Sequence, residues 1–404
     1  MLTRKRDLRT GSPVWAVARK PAIPQEPLAR DLDSDVLVVG AGISGALLAE
    51  NLTEAGLKVV VADRRSPLAG STSASTALLQ HELDTPLIEL RRSLGERDAD
   101  SVWRRSRLVV SALAERTARL GIEAELTGRD ALYLAGNRLD AAGLVAEARA
   151  RRSIGLEVEL LGRSELLARY GIRRSAGLLG FGDFVADPRK LAAGYLRVAV
   201  ARGARVVAPV DVIGVQEGSR GVVATTSQGW RITARHAVFA TGYEVAKGIS
   251  ARGHSIQSTW VIATRPQPRS LWPTQCMIWE ASDPYLYLRT TADGRVLCGG
   301  GDEPFADPEK RDAWSPRKFR FLERRLGALF PGLDATAEWA WAGSFGASAS
   351  GTPIIGRLPG KRRLFAVLGC GGNGITFSML AAQLLRSAIE GRDDRDAALF
   401  RPRR

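Results

Sequence analysis

The sequence predicts an α/β fold in which a largely parallel sheet, with helices on its faces, is interleaved with an α+β unit built on a mainly antiparallel sheet. Three observations predict it. The apolar run Asp35-Val36-Leu37-Val38-Val39 meets a glycine turn, a helical stretch from Ile43 to about Ala55 and a second apolar run at residues 58–62, which is βαβ grammar. Strand, glycine turn and helix return at residues 362–390. Between residues 254 and 345, short strands alternate with turns.

The elements follow in order. Pro13, Pro21, Pro24 and Pro27 keep residues 1–33 from any periodicity, so an extended arm packed along the surface is expected there. After the βαβ unit come helical stretches near 84–120 and 138–151, with a strand in DALYLAG between them. Asp187-Pro188 opens a helix through Arg202, Asp as its cap and Pro in the tolerated first turn. Residues 204–215, 221–226 and 232–240 read as strands, as do 258–264, 276–280, 286–290 and 296–299.

Composition bounds the function. Over 404 residues, 45% hydrophobic and 25% charged side chains exclude a mainly disordered or collagen-like chain. No apolar run approaches the roughly 20 residues that cross a bilayer. The +15 charge, from 58 Lys plus Arg against 43 Asp plus Glu, raises the question of a nucleic-acid or lipid partner. Apart from short clusters at 4–6, 151–152, 361–363 and 401–404 the basic residues are scattered, and no recognition helix, zinc spacing or RNP-like strand accompanies them. A solvated, Arg-rich surface is the reading, not a nucleic-acid face. Cys276, Cys298 and Cys370 lie far apart, and His81, His236 and His254 are the only histidines, so neither a disulfide framework nor a metal centre is expected. The basic N-terminus lacks an apolar h-region, and a cytoplasmic product is expected.

The strongest constellation is Gly40-Ala41-Gly42-Ile43-Ser44-Gly45, between a strand and a helix. The first glycine permits the tight turn, the second lets a pyrophosphate approach the backbone, and the third lets helix and strand pack closely. The helix N-terminus offers free N–H groups and a partial positive charge to phosphates. Asp63 ends the second strand, where an acid accepts hydrogen bonds from a ribose diol. This fingerprint leaves NAD and FAD undecided. Two distant segments favour FAD: AVFATGY at 237–243, a strand ending in Ala240-Thr241-Gly242, and a strand entering GCGGNGI at 369–375. The exposed N–H groups of such a turn suit a ribityl chain or flavin carbonyl oxygens.

With these motifs in this order, residues 33–390 resemble the D-amino acid oxidase/glycine oxidase/sarcosine oxidase (DAO) family of FAD-dependent oxidoreductases. LAGSTSAS at 68–75, DPRKLAAGYLRVAVARGARV at 187–206, LRTTADGRVLCGGGDE at 288–303 and SGTPIIGR at 350–357 complete the resemblance. It implies a Rossmann-like FAD-binding domain from residues 33–95, 180–250 and 345–392. The implied substrate domain takes 96–179 and 251–344, with an arm at 1–32 and a basic tail at 393–404. It also implies that Gly40, Gly42 and Gly45, with Ile43 and Ser44 opening the helix, hold the pyrophosphate of a noncovalent FAD, Asp63 its ribose and Arg64 the adenine side. Ser71, Thr72 and Ser75 would lie on the loop toward pyrophosphate and flavin, Val210 at the adenine edge, and Gly372, Asn373, Gly374 and Ile375 on the pyrimidine side.

The resemblance further implies oxidation of a small amine or amino acid by hydride transfer from the substrate C–H to flavin N5, with the protein supplying orientation and charge. Arg289 is the expected carboxylate anchor, because its planar fork binds a carboxylate bidentately. Tyr287, two residues away and on the same strand face as Tyr285, is an expected pocket hydroxyl, and His81 an expected proton acceptor beside the flavin loop. The family's flavin-tethering Cys is missing from WAGSFGASAS, and the Lys of its oxygen-using members is missing from QSTWVIATRP. Oxygen and another acceptor therefore both stay open. A dehydrogenase of a hydroxy acid or polyol phosphate delivering electrons to quinone is the second enzyme reading. A noncatalytic flavin-binding or nucleic-acid-binding protein is the reading of another class.

Overall fold

A computed structural model of the chain describes residues 2–19, 21–247, 249 and 253–402; Arg403 and Arg404 of the expected basic tail lie outside them. The described residues form two sheets. In the first, Arg205–Val207, Val59–Ala62, Leu32–Val39, Arg231–Phe239 and Leu364–Leu368 run parallel side by side. Their β-branched and leucine side chains are buried on both faces, as a parallel sheet covered on both sides requires. The helices Ile43–Glu54, Glu96–Arg119, Pro188–Ala201 and Gly374–Ile389 share one core with Val36, Val38, Val59 and Val61 on one face. Val212–Glu217 and Val222–Thr226 form an antiparallel flap with Arg231–Phe239.

The second sheet is antiparallel but for one pair, Thr127–Leu134 beside Met277–Glu280. Its centre is His254–Thr264 between Val296–Glu303 and Ala337–Ser348, followed outward by Leu286–Thr290. Strand alternation gives it two distinct faces. Trp260, Ile262, Leu286, Leu288 and Cys298 pack against the helix Pro308–Leu329, whereas Thr259, Tyr287 and Phe345 look toward the parallel-sheet layer and its cavity.

Several expectations change here. Residues 308–329, expected within a run of strands and turns, form a 22-residue helix, begun by Asp307 accepting from the N–H groups of Glu309 (2.9 Å) and Lys310 (3.2 Å). The stretch 84–120 is two helices, Leu87–Leu94 and Glu96–Arg119, parted at Gly95, whose φ is +86°. The expected strand 204–215 is two strands with Pro209 between them, where the ladder loses a donor. The arm is more than a surface strap: Arg9–Gly11 pairs with Ala337–Ser348, and Leu2, Leu8, Val14 and Trp15 are buried. The segment 96–179 contributes to both layers, since Val102, Trp103 and Leu113 enter the parallel-sheet core.

Candidate active site

The glycine turn closes by backbone contact alone. Gly40 has φ +116°, and a Cβ there would collide with the carbonyl oxygen of Ala240. A Cβ on Gly45 would collide with the carbonyl oxygen of Gly40, so helix and strand touch only because neither position has a side chain. Gly42 differs: a Cβ there would meet only Thr72 Oγ1, at 3.0 Å, and the space above the helix start is otherwise open. Thr72 Oγ1 accepts the Ile43 N–H at 3.0 Å. Asp63 accepts the Ala41 N–H on Oδ2 (2.7 Å) and the Arg65 N–H on Oδ1 (2.8 Å). Burial raises its pKa, and these two donors partly oppose the rise. Ser71 Oγ is buried with no hydrogen-bond partner. An open helix start, a cradle free of side chains and an orphaned hydroxyl beside it are what a dinucleotide diphosphate fits.

One continuous cavity runs from this turn in both directions. Toward one end lie Asp63, Arg64 and Val210; Ala240, Thr241 and Gly242 lie beside the glycine turn, and the turn that starts the helix Gly374–Ile389 lies toward the other end. Every expected cofactor position lines the cavity except Gly45, which lies behind Gly40. Three of the side chains are spent inside the protein. Ser44 Oγ is hydrogen-bonded to Ser378 Oγ (2.7 Å), Asn373 Nδ2 donates to the Glu82 carbonyl (2.6 Å), and Thr241 Oγ1 donates to the Glu244 carbonyl (2.7 Å). The Thr241 hydroxyl proton and the Asn373 Nδ2 donor are thus committed to backbone carbonyls, and the Ser44 hydroxyl is tied to Ser378.

Of the three expected catalytic side chains, only Tyr287 lines the cavity. Arg289 points elsewhere. Its Nη1 donates to the carbonyls of Thr76 (2.9 Å), Ala77 (3.2 Å) and Ala186 (2.8 Å), and its Nε to that of Thr290 (3.0 Å). Its guanidinium lies 5.4 Å from the Trp15 ring centroid, and burial lowers its pKa to about 9. The expected carboxylate anchor is thus a clamp between the 71–77 loop, the 186 turn and the arm. His81 is 1% exposed and is also outside the cavity. Its Nδ1 lies 2.7 Å from Asp183 Oδ1, which also accepts the His81 N–H at 2.9 Å. The pair joins two buried segments.

The structure brings in Tyr285, the alternative to Tyr287 as pocket hydroxyl on the same strand face, and adds residues that sequence reasoning did not place at the site. Tyr243, Tyr285, Trp279 and Phe345 line the cavity with Tyr287, and the rings of Tyr285 and Tyr287 lie 5.9 Å apart. Burial raises the pKa of all three tyrosines, so they stay protonated at neutral pH. Trp279 is fixed by stacking on Tyr133 (3.9 Å between centroids) and by donating from Nε1 to Glu82 Oε2 (3.0 Å). Glu82 is in turn paired with the buried Arg151, itself bonded to Glu147 at 2.8 Å. Asp84 is reached from the cavity, accepts the Gly372 N–H at 2.8 Å, and has its pKa raised by the protein packed around it. The arm supplies Leu2, Thr3 and Leu8 to the wall, and Thr3 receives a hydrogen bond from Arg64. Strand alternation was a signal for Tyr285; a lone Asp or an N-terminal leucine carries none.

Charge is divided along the cavity. Among the described residues that line it, the arginines are Arg64 and Arg65, at the end with Val210 and Asp211. The tyrosine end has Asp84, with Glu82 already paired to Arg151, and no Lys or Arg among the described lining residues.

Three comparisons bear on this site. A family model described as FAD dependent oxidoreductase (DAO) matches residues 35–388. The chain is 26% identical over 375 residues to glycine oxidase of Geobacillus kaustophilus, covering 89% of this chain and 93% of that protein. It is 26% identical over 396 residues to gamma-glutamylputrescine oxidoreductase of Escherichia coli, covering 95% and 90%. The solved structure of the Geobacillus kaustophilus glycine oxidase matches with a TM-score of 0.76 at 24% identity, over 92% of this chain and 99% of that one. L-proline dehydrogenase from P. horikoshii matches with a TM-score of 0.78 at 18% identity, over 92% and 97%. Identities this low in the structural matches speak for the fold alone.

Proposed function

The chain belongs to the DAO family of FAD-dependent oxidoreductases, and from that premise we propose that it oxidises a small amine at the carbon–hydrogen bond beside the nitrogen, with FAD held noncovalently. The observation that carries this reading is the tyrosine end: aromatic faces, the Asp84 carboxylate reached from the cavity and, among the described lining residues, no cation, the second carboxylate, Glu82, being already paired with Arg151. A hydroxy acid or polyol phosphate needs Arg or Lys to replace its hydration, and an α-amino acid needs the same for its carboxylate. An ammonium group needs the opposite, carboxylates and aromatic faces. Two relatives are named for substrates that carry an amino nitrogen, glycine and gamma-glutamylputrescine. The favoured substrate is an amine with no carboxylate on the oxidised carbon. Glycine carries a carboxylate on its oxidised carbon, so this preference rests on the lining of this cavity and not on that relative.

FAD, when bound, supplies the two-electron acceptor for the hydride. The chain's own groups do the rest. Gly40 and Gly42 let a diphosphate reach the N–H groups of the helix Ile43–Glu54, and Asp63 accepts from a ribose. The turn at 371–375 presents backbone N–H groups to the ring end. Tyr243, Tyr285, Tyr287, Trp279 and Phe345 exclude water around the reacting carbon. Cys370 lines the cavity with its thiol pushed up by burial and its sulfur 3.9 Å from the Leu368 carbonyl. No described helix is long and apolar enough to cross a membrane.

The test is anaerobic bleaching of the flavin band by a panel of primary and secondary amines against 2-hydroxy acids and glycerol 3-phosphate. Amines bleach and the anions do not; bleaching by the anions alone contradicts the proposal. Admitting air or an artificial acceptor to the bleached protein then identifies the second substrate.

A further inference from the structure

The antiparallel sheet that roofs the tyrosine end contains polar atoms for which the fold provides no partner. Asp302 follows the Gly299-Gly300-Gly301 run of strand Val296–Glu303, and both of its carboxylate oxygens are buried without a hydrogen bond. On the strand beside it, Thr259 Oγ1 is buried and unpartnered too. Thr259 and Tyr285 both line the cavity, and both hydroxyls lie beside the Asp302 carboxylate. Burial pushes Asp302 up to about 6.

The charged and titratable groups around Asp302 come from every element packed against it. Tyr285 and Tyr287 face it from the neighbouring strand, and Asp84 bears on it from the turn under the cavity. Among the described residues the cation that bears on it is Lys318 of the helix Pro308–Leu329, and that ammonium is already engaged. Its Nζ donates to the Gly301 carbonyl (2.6 Å) and Glu303 Oε1 (2.6 Å), and it lies 4.8 Å from the Trp260 ring centroid, on the helix side of the sheet. A buried carboxylate flanked by two hydroxyls, with its cationic neighbour engaged elsewhere, is costly to charge, and the cost falls when a cation arrives.

We propose that Asp302, Thr259 and Tyr285, with Asp84 opposite, form the subsite that receives the substrate's protonated amino group and so select cationic substrates. The ammonium gives up one proton to solvent before the hydride leaves, because only the neutral amine has the lone pair that forms the C=N bond. This inference rests on the amine reading above. Asp84 touches the ammonium from the cavity; Asp302 is a positioning residue that acts through the hydroxyls of Tyr285 and Thr259, turning their oxygens toward the cation. Tyr243, Trp279 and Phe345 supply aromatic faces around the same space.

The experiment titrates the FAD-loaded protein with butylammonium chloride, read by perturbation of the flavin absorption spectrum, with sodium butyrate as the anionic control. Wild type binds butylammonium and not butyrate, and its affinity rises as the pH rises through about 6, where Asp302 becomes a carboxylate. D302N and D84N each weaken butylammonium binding by about 30-fold or more, and D302N loses the pH limb near 6. T259V weakens it less and keeps that limb. All three variants retain the FAD spectrum and melt as single transitions. If D302N and D84N both bind butylammonium within about two-fold of wild type, or wild type binds butyrate equally well, the subsite is wrong. The two claims separate cleanly: bleaching of wild type by amines with unaltered binding in the variants removes the subsite and leaves the amine reading. Carboxylate-dependent butylammonium binding without bleaching by any amine does the reverse.

Discussion

Replacing Arg289 by Met tests whether this side chain is a clamp or a substrate anchor. Met keeps the length and apolar stem but removes the charge and the donors. In the folded chain Arg289 serves four carbonyls from three separate segments, at 2.8 to 3.2 Å, and no carboxylate touches it. Hydrogen bonds to a charged group contribute about 1.5–3 kcal/mol each. Desolvation of the guanidinium, visible in its lowered pKa, offsets part of that sum. Leaving the four carbonyls orphaned gives a net loss of about 3–5 kcal/mol, the usual cost of breaking a buried charged contact. At about 2.1 cal/mol/K per residue, 404 residues carry an unfolding entropy of about 0.85 kcal/mol/K, so the melting temperature falls by about 4–6 °C. Differential scanning calorimetry of the FAD-free protein reads this without interference from cofactor or substrate. A variant that melts within about 1 °C of wild type, yet loses affinity for carboxylate substrates in the holoenzyme, refutes the clamp and restores the anchor.

Other perturbations give equally definite outcomes. Gly45→Ala drives a Cβ into the Gly40 carbonyl, backbone against backbone, and is expected to abolish FAD binding in a fluorescence titration; retained affinity contradicts the cradle. Deleting residues 2–8 removes Leu2, Thr3 and Leu8 from the cavity wall, Thr3 from beside Arg64, and should weaken FAD and ADP by about ten-fold or more. Unchanged ADP binding would place the adenosine elsewhere. Asp302→Asn stabilises the FAD-free protein at pH 8. Because burial lifts Asp302 from 3.8 to about 6, its contribution to stability is fully present below about 3.8 and lost as pH rises through about 6; a neutral Asn avoids that loss. The gain, about 2–3 kcal/mol at pH 8, should vanish near pH 4 in denaturant titrations, and a gain equal at both pH values contradicts the buried charge.

The parallel-sheet half of the fold was legible because its signals are local. Apolar runs, the glycine turn, Asp63 and the Asp187-Pro188 cap each specify structure within a few residues, and the elements formed where those signals lay. The helix Pro308–Leu329 carried the same Asp-Pro start as 187–188, with Arg311, Ser315, Leu322, Leu326 and Leu329 buried at helical spacing. Its polar composition and internal Pro316 hid that period. The residues expected at the cofactor line the cavity because backbone conformation, encoded by glycine, makes most of that end of it. The substrate end was not legible in this way. Tyr287 and Arg289 share a strand face, but what each meets depends on distant chain: Thr259 and Gly299 for the tyrosine, the 76–77 loop and Trp15 for the arginine. Asp84 and Asp302 are single acids whose significance appears only when the two sheets face each other.

The most direct measurement is a single anaerobic turnover of the purified, FAD-loaded protein with one equivalent of butylamine. The predicted result is bleaching of the flavin with one butyraldehyde and one ammonia recovered per FAD reduced, and none with 2-hydroxybutyrate. Bleaching by 2-hydroxybutyrate with 2-oxobutyrate recovered, and no reaction with any amine, would contradict the amine-oxidising site described here.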